Sequence, residues 1–173
     1  MNQALLFDLA DIVERSATYN QDLWALLSDR EPECKTPACV AGHCVTMHPN
    51  FDGFRWNPNF SDSSFSSDTV QVKLSEAYYS VPETAEQMLE ISEKTAFRLF
   101  LNRPLGKSNK KPVTNAVAAR VLRYLAITGK VNWKVTDEQL ERVLSSRLFY
   151  ANLRRGLFRW LTLSPLLSLL QNR

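Results

Sequence analysis

Residues 33–44 read ECKTPACVAGHC. They hold all three cysteines of the chain, Cys34, Cys39 and Cys44, and one of its two histidines, His43; the other, His48, follows shortly after. Thiols and imidazoles this close together raise three readings. The first is a zinc centre, which takes four tetrahedral ligands, commonly Cys and His. The second is a reactive thiol, activated by a helix N-terminus and an imidazole base. The third is packing without chemistry, because free cysteine behaves as a small buried hydrophobe.

Helical geometry weighs these readings. At about 100° per residue, with Cys39 at zero, His43 falls at about 40°, Cys44 at about 140° and His48 at about 180°. The pairs Cys39–His43 and Cys44–His48 therefore face away from each other. One zinc would draw on Cys34, Cys39 and His43 and need a fourth ligand from elsewhere, and the spacing lacks a C-x2-C knuckle. For the thiol, Thr36 is a good N-cap and Pro37 suits the first helical position. That start sets Cys39 in the first turn with His43 one turn later, but no third group that would orient the imidazole can be named. For packing, Val40, Ala41, Cys44, Val45 and Met47 make the helix apolar over most of its circumference, and Gly42 admits a close neighbour. Packing is the favoured reading. Cys39 and His43 remain the catalytic candidates, Cys34, Cys39 and His43 the metal candidates, and no cofactor is expected.

The elements around this stretch read as helices. Leu5, Leu6, Leu9, Ile12 and Val13 recur at helical spacing over residues 3–15. A short helix is expected around Leu23, Trp24, Leu26 and Leu27 after Asn20. The cysteine helix should end near His48, before Pro49. Residues 49–69 are rich in Ser, Asn and Asp, and also in aromatics (Phe51, Phe54, Trp56, Phe60, Phe65), and read as a long loop that partly packs. Val70, Val72 and Leu74 alternate, as in a short strand or the lead into a helix. Helices follow after Pro82, after Ser92 and after Thr114, the last ended by Gly129. A long helix starts at Thr136 with a capping signal and is broken by Pro165. The fold class expected is mainly α: a single compact helical domain of six or seven helices with a long aromatic-rich loop and a C-terminal helical extension, divided into a helical domain over 1–135 and a basic, leucine-rich C-terminal helix over 136–173.

Composition agrees with a folded domain: 173 residues, 45% hydrophobic and 23% charged. Such a chain buries a sizeable core without disulfides or metal. The N-terminal MNQALLFDLADIVERS carries acids and no basic leader, and no run of apolar residues is long enough for a membrane span, so a cytoplasmic location with reduced thiols is expected. The net charge of +3 hides an asymmetry: residues 1–102 carry 7 Lys+Arg against 15 Asp+Glu, and residues 103–173 carry 14 against 3. Such polarity points either to an acidic or anionic partner or to attraction between the two halves.

The order of features resembles a family of small uncharacterised bacterial and phage proteins. Their signature has the form C-G-T-x-x-C-x-A-G-W-A, followed later by a helical segment ending T-G-x-V-x-W. CKTPACVAGHC (34–44) resembles the signature through Cys34, Thr36, Cys39, Ala41 and Gly42, and VTNAVAARVLRYLAITGKVNW (113–133) resembles the later segment. Two positions depart: Lys35 stands at the family glycine, and His43 at the family tryptophan. The resemblance therefore implies that His43 is not part of a shared site. It brings no established activity.

Beyond residue 135 the chain combines Arg147, Arg154, Arg155 and Arg159 with Phe158, Trp160 and many leucines. Three partners suit this: an apolar face packing on a protein or in self-assembly, an anionic membrane surface, and nucleic-acid phosphates aided by Lys107, Lys110 and Lys111. The leucine-rich end suits a protein interface best. The functional expectation is a non-enzymatic adaptor-like or regulatory interaction module that binds a protein through this helix, with no small-molecule substrate. A thiol- or zinc-dependent protein centred on Cys39 and a nucleic-acid or membrane accessory protein are the alternatives.

Overall fold

A computed structural model describes residues 1–19, 39–56, 70–100 and 113–147. Helix α1 (Gln3–Arg15) begins where the Asn2 side chain accepts the Leu5 N–H at 3.1 Å, the capping bond that satisfies an orphan donor of the first turn. Its Leu6, Leu9, Ala10 and Val13 are fully buried, one stripe at 3–4 residue spacing. Ile12, expected inside, is 40% exposed. The stripe packs along α5 (Asn115–Thr128), which buries Ala118, Val121, Leu122, Leu125 and Ala126. Two polar ties fix this pair. Arg123 donates to Asp11 at 2.7 Å and Glu14 at 2.6 Å. Asn115 donates to the Glu14 carbonyl at 2.7 Å, covering an end of α1 that the helix cannot satisfy itself.

Helix α2 (Val40–Thr46) is the hub: it packs against α1, α3 (Val81–Leu89), α4 (Glu93–Phe100) and the first strand, β1 (Phe51–Trp56), and Val40, Ala41, Gly42, Cys44 and Val45 are all buried. Its N-cap is Cys39, in extended backbone. Cys39 thus precedes the helix instead of sitting in its first turn, and the helix begins three residues after Pro37.

The mainly α, all-helical expectation does not hold. Strands β1 (Phe51–Trp56), β2 (Val70–Leu74) and β3 (Ala77–Ser80) form an antiparallel sheet in the order β1-β2-β3. The strand at 51–56 lay inside the expected loop because its alternation is broken. The register shifts between Phe51 and Phe54, where Gly53 takes φ 114. The bulge lets two phenylalanines three positions apart both pack against the core, with ring centroids 5.1 Å apart. A period-two search passes over such a strand. In β2 the alternation is clean: Val70 and Val72 are buried, while Gln71 and Lys73 are partly exposed. The chain then enters α3 (Val81–Leu89) with Pro82 in the first turn, and α4 (Glu93–Phe100) after Ser92, whose hydroxyl accepts the Thr95 N–H at 3.4 Å.

Met1–Val135 forms one compact unit and Thr136–Arg173 a second. A sixth described helix, α6, occupies residues 137–147. It opens on reciprocal capping: Thr136 Oγ1 accepts the Gln139 N–H at 3.3 Å, and Gln139 Oε1 accepts the Thr136 N–H at 3.1 Å. Among the described residues no helix is long and apolar enough to cross a membrane.

Candidate functional site

The residues with chemistry meet where α1 ends and α2 begins. Ser16 is the C-cap of α1, and His43 lies one turn into α2. Their side chains meet, with Ser16 Oγ 3.2 Å from His43 Nε2. Ser16 Oγ also accepts the Thr18 N–H at 3.2 Å and lies 3.3 Å from the Thr18 hydroxyl. The Tyr19 ring stacks on the imidazole at 17° between planes. An open cleft of about 690 Å³ faces this group, lined by Asp8, Asp11, Ile12 and Arg15 together with Ser16 and His43.

Burial sets the protonation states. It pushes the Cys39 thiol up to about 11, although the nearby Gly42 and Ala41 amides pull the other way. It pushes Cys44 up to about 12, with the neighbouring Cys39 adding to the shift. It lowers the half-buried His43 below its ordinary value, and it raises the Tyr19 phenol. Outside the cluster, the hydrogen bond from Arg123 holds Asp11 and Glu14 below the usual carboxylate range.

A hydroxyl within reach of a neutral imidazole is the starting geometry of a serine nucleophile. The surroundings oppose that use. Ser16 sits at the C-terminal, negative end of α1, which disfavours negative charge developing on the hydroxyl oxygen. Among the described residues nothing bonds to His43 Nδ1 to fix the ring for proton transfer. What the network does is tie the end of α1 to the start of α2.

The cysteine–histidine cluster itself comes apart. Cys39 is 2% exposed and Cys44 fully buried, both as free thiols. His43 turns to Ser16, whereas His48 accepts the Asn50 N–H at its Nδ1, 3.1 Å away, beside the sheet. Among the described residues no three His, Cys, Asp or Glu side chains are grouped to hold a metal ion. Cys34, the third metal candidate, lies outside the described residues.

Comparison with protein-family models, with characterised proteins and with solved structures returns no match. The chain's own geometry therefore carries the functional argument.

Of the expected partner-binding residues, Arg147, the last described residue of α6, is exposed. Arg154, Arg155, Phe158, Arg159 and Trp160 lie outside the described residues. Ser16 and Tyr19 were missed as partners of His43. A short S-x-T segment after a helix signals a turn and carries no mark of a histidine 27 residues away.

Proposed function

We propose that the protein is a non-enzymatic interaction module that binds a partner protein through residues 136–173. The observation that carries the reading is the division of the chain: a separate unit starts at Thr136 on a well-capped helix. Its sequence continues into Arg154, Arg155, Phe158, Arg159, Trp160 and a leucine-rich end. Aromatic and arginine side chains are the usual anchors of protein interfaces, and so much leucine is unsuited to a phosphate-binding arm. The non-enzymatic half of the reading is supported by the thiols, buried and held protonated at neutral pH, and by the place of Ser16 at the C-terminal end of α1.

The test is affinity purification of the full chain from its native host, with and without nuclease, beside the triple variant R154E/R155E/R159E. The proposal expects the same protein on the wild-type chain after nuclease, and its loss from the variant. Recovery that nuclease abolishes would replace it with a nucleic-acid partner. Retention of the partner by the variant would remove residues 154–159 from the interface.

A further inference from the structure

The sheet ends on an edge that no described strand covers. The strand order leaves β3 with β2 on one side only. Tyr78 is 37% and Tyr79 48% exposed. Proteins commonly blunt such an edge with a proline, a lysine or a bulge. Ala77-Tyr78-Tyr79-Ser80 carries none of these, and the register shift of the sheet lies at the far edge, on β1. The hairpin turns through Ser75 and Glu76, between the paired Leu74 and Ala77. In such a hairpin Leu74–Ala77 and Val72–Tyr79 are the hydrogen-bonded pairs, so the Tyr78 N–H and C=O and the Ser80 N–H point away from β2. The Ser80 carbonyl is already engaged by the Thr84 hydroxyl at 2.7 Å.

Beside this edge lies a cleft of about 590 Å³ between the hairpin turn and α3. Leu74, Ala77, Tyr79 and Met88 give it apolar lining, beside the polar His48, Asn50, Glu76, Thr84 and Gln87. Two carboxylates bracket the strand: Glu76 immediately before it, and Glu83 in the first turn of α3 just after it. Both are exposed, and neither makes an ion pair among the described residues. Lys73, which feels the charge of Glu76, makes its ion pair with Asp52 instead. Arg55 bonds Gln71 and lies over the Tyr78 ring.

The geometry points to β3 as a docking edge for an extended segment of a partner protein, apolar at alternate positions and basic at both ends. Its backbone pairs with Tyr78 and Ser80, an apolar side chain enters the cleft between Tyr79 and Met88, and its terminal cations face Glu76 and Glu83. Charge selects this occupant. An acidic segment meets two unpaired carboxylates. Antiparallel pairing of β3 with a second copy brings Glu76 of one toward Glu83 of the other. The surface belongs to Met1–Val135 and stands independently of the proposal for residues 136–173.

The test is an NMR titration of the full-length labelled chain with a capped seven-residue peptide that alternates valine or leucine with threonine and ends in lysines. The matched control ends in glutamates. Shift changes should be confined to residues 76–80 and 84–88, with slowed exchange of the Tyr78 and Ser80 amides. The glutamate peptide should bind at least about fivefold more weakly, since rim charges steer specificity. The variant E76K/E83K changes only exposed positions and should reverse the preference. Equal affinity for both peptides, no shift with either, or changes centred elsewhere overturns the proposal. So does β3 protection that rises with protein concentration alone, which would make a second copy the occupant.

Discussion

Helices α5 and α2 start in opposite ways. At α5 the Thr114 hydroxyl accepts the Val117 N–H at 3.3 Å, and Thr114 itself is exposed. At α2 the cap is Cys39, whose side chain makes no capping hydrogen bond and is 2% exposed. A seven-residue helix is too short to hold itself together in water. It persists because Val40, Ala41, Cys44 and Val45 are buried against neighbouring elements. The start of α5 is set by local chemistry, and the start of α2 by tertiary contacts. A boundary of the first kind can be read from neighbouring letters, and one of the second kind cannot.

The largest effect expected from this contrast is at Cys39. Aspartate is among the best N-cap residues in exposed helices. If local chemistry governed α2, Cys39→Asp would stabilise it. Here the same burial that pushes the thiol up to about 11, against the pull of nearby backbone amides, would act on a carboxylate. An unpaired buried charge is expected to cost about 3 kcal/mol or more. Cys39→Ala, which only removes a small apolar group, should cost much less. Urea unfolding of the two variants checks this. A Cys39→Asp protein as stable as the parent would erase the distinction between the two helix starts.

Thr114→Ala is the mirror experiment and should lose about 1 kcal/mol, the usual worth of a hydroxyl cap. Thr114→Ser keeps the acceptor and should recover most of the loss. If both variants match the parent, α5 too is positioned by packing, and the contrast narrows to the difference in helix length.

The same division explains what was legible in the sequence. Thr114, Gly129 and the Thr136–Gln139 capping box act over a few residues, and each sits where its letters place it. The α1 stripe was legible from its period, except that Ile12 faces out. The sheet was lost because the Gly53 bulge breaks the alternation of β1 and because its pairing with β2 spans residues far apart in the chain. At the candidate site, angular spacing sorted His43 and His48 onto different faces, and the two imidazoles have different partners. The identity of those partners depends on how α1 meets α2, which no local pattern encodes. Thr36 and Pro37 offered a strong local start signal, and the helix starts at Val40 all the same.

His43 gives the smallest effect and the most local readout of the contrast. Burial lowers its pKa below the ordinary 6.5. The unfolded chain therefore takes up this proton first as pH falls. Stability from neutral His43 is fully present above about pH 6.5, is lost as pH drops through that value, and stops falling once the folded state is protonated too. Asp11 and Glu14, held low by Arg123, lose their contribution only under more acidic conditions, below their ordinary values of 3.8 and 4.5. Unfolding free energies between about pH 5 and 7 for the parent and for His43→Asn, which does not titrate, isolate the histidine. The difference should grow toward acid and remain smaller than the loss at Thr114→Ala. Hydrogen exchange locates it. Because His43 meets Ser16 from the first turn of α2, acid should speed amide exchange in α2 and leave the first turn of α5 unchanged. Equal acceleration in both would mean that the two helix starts open together, so that the Arg123 and Asn115 ties between α1 and α5 transmit the loss across the unit.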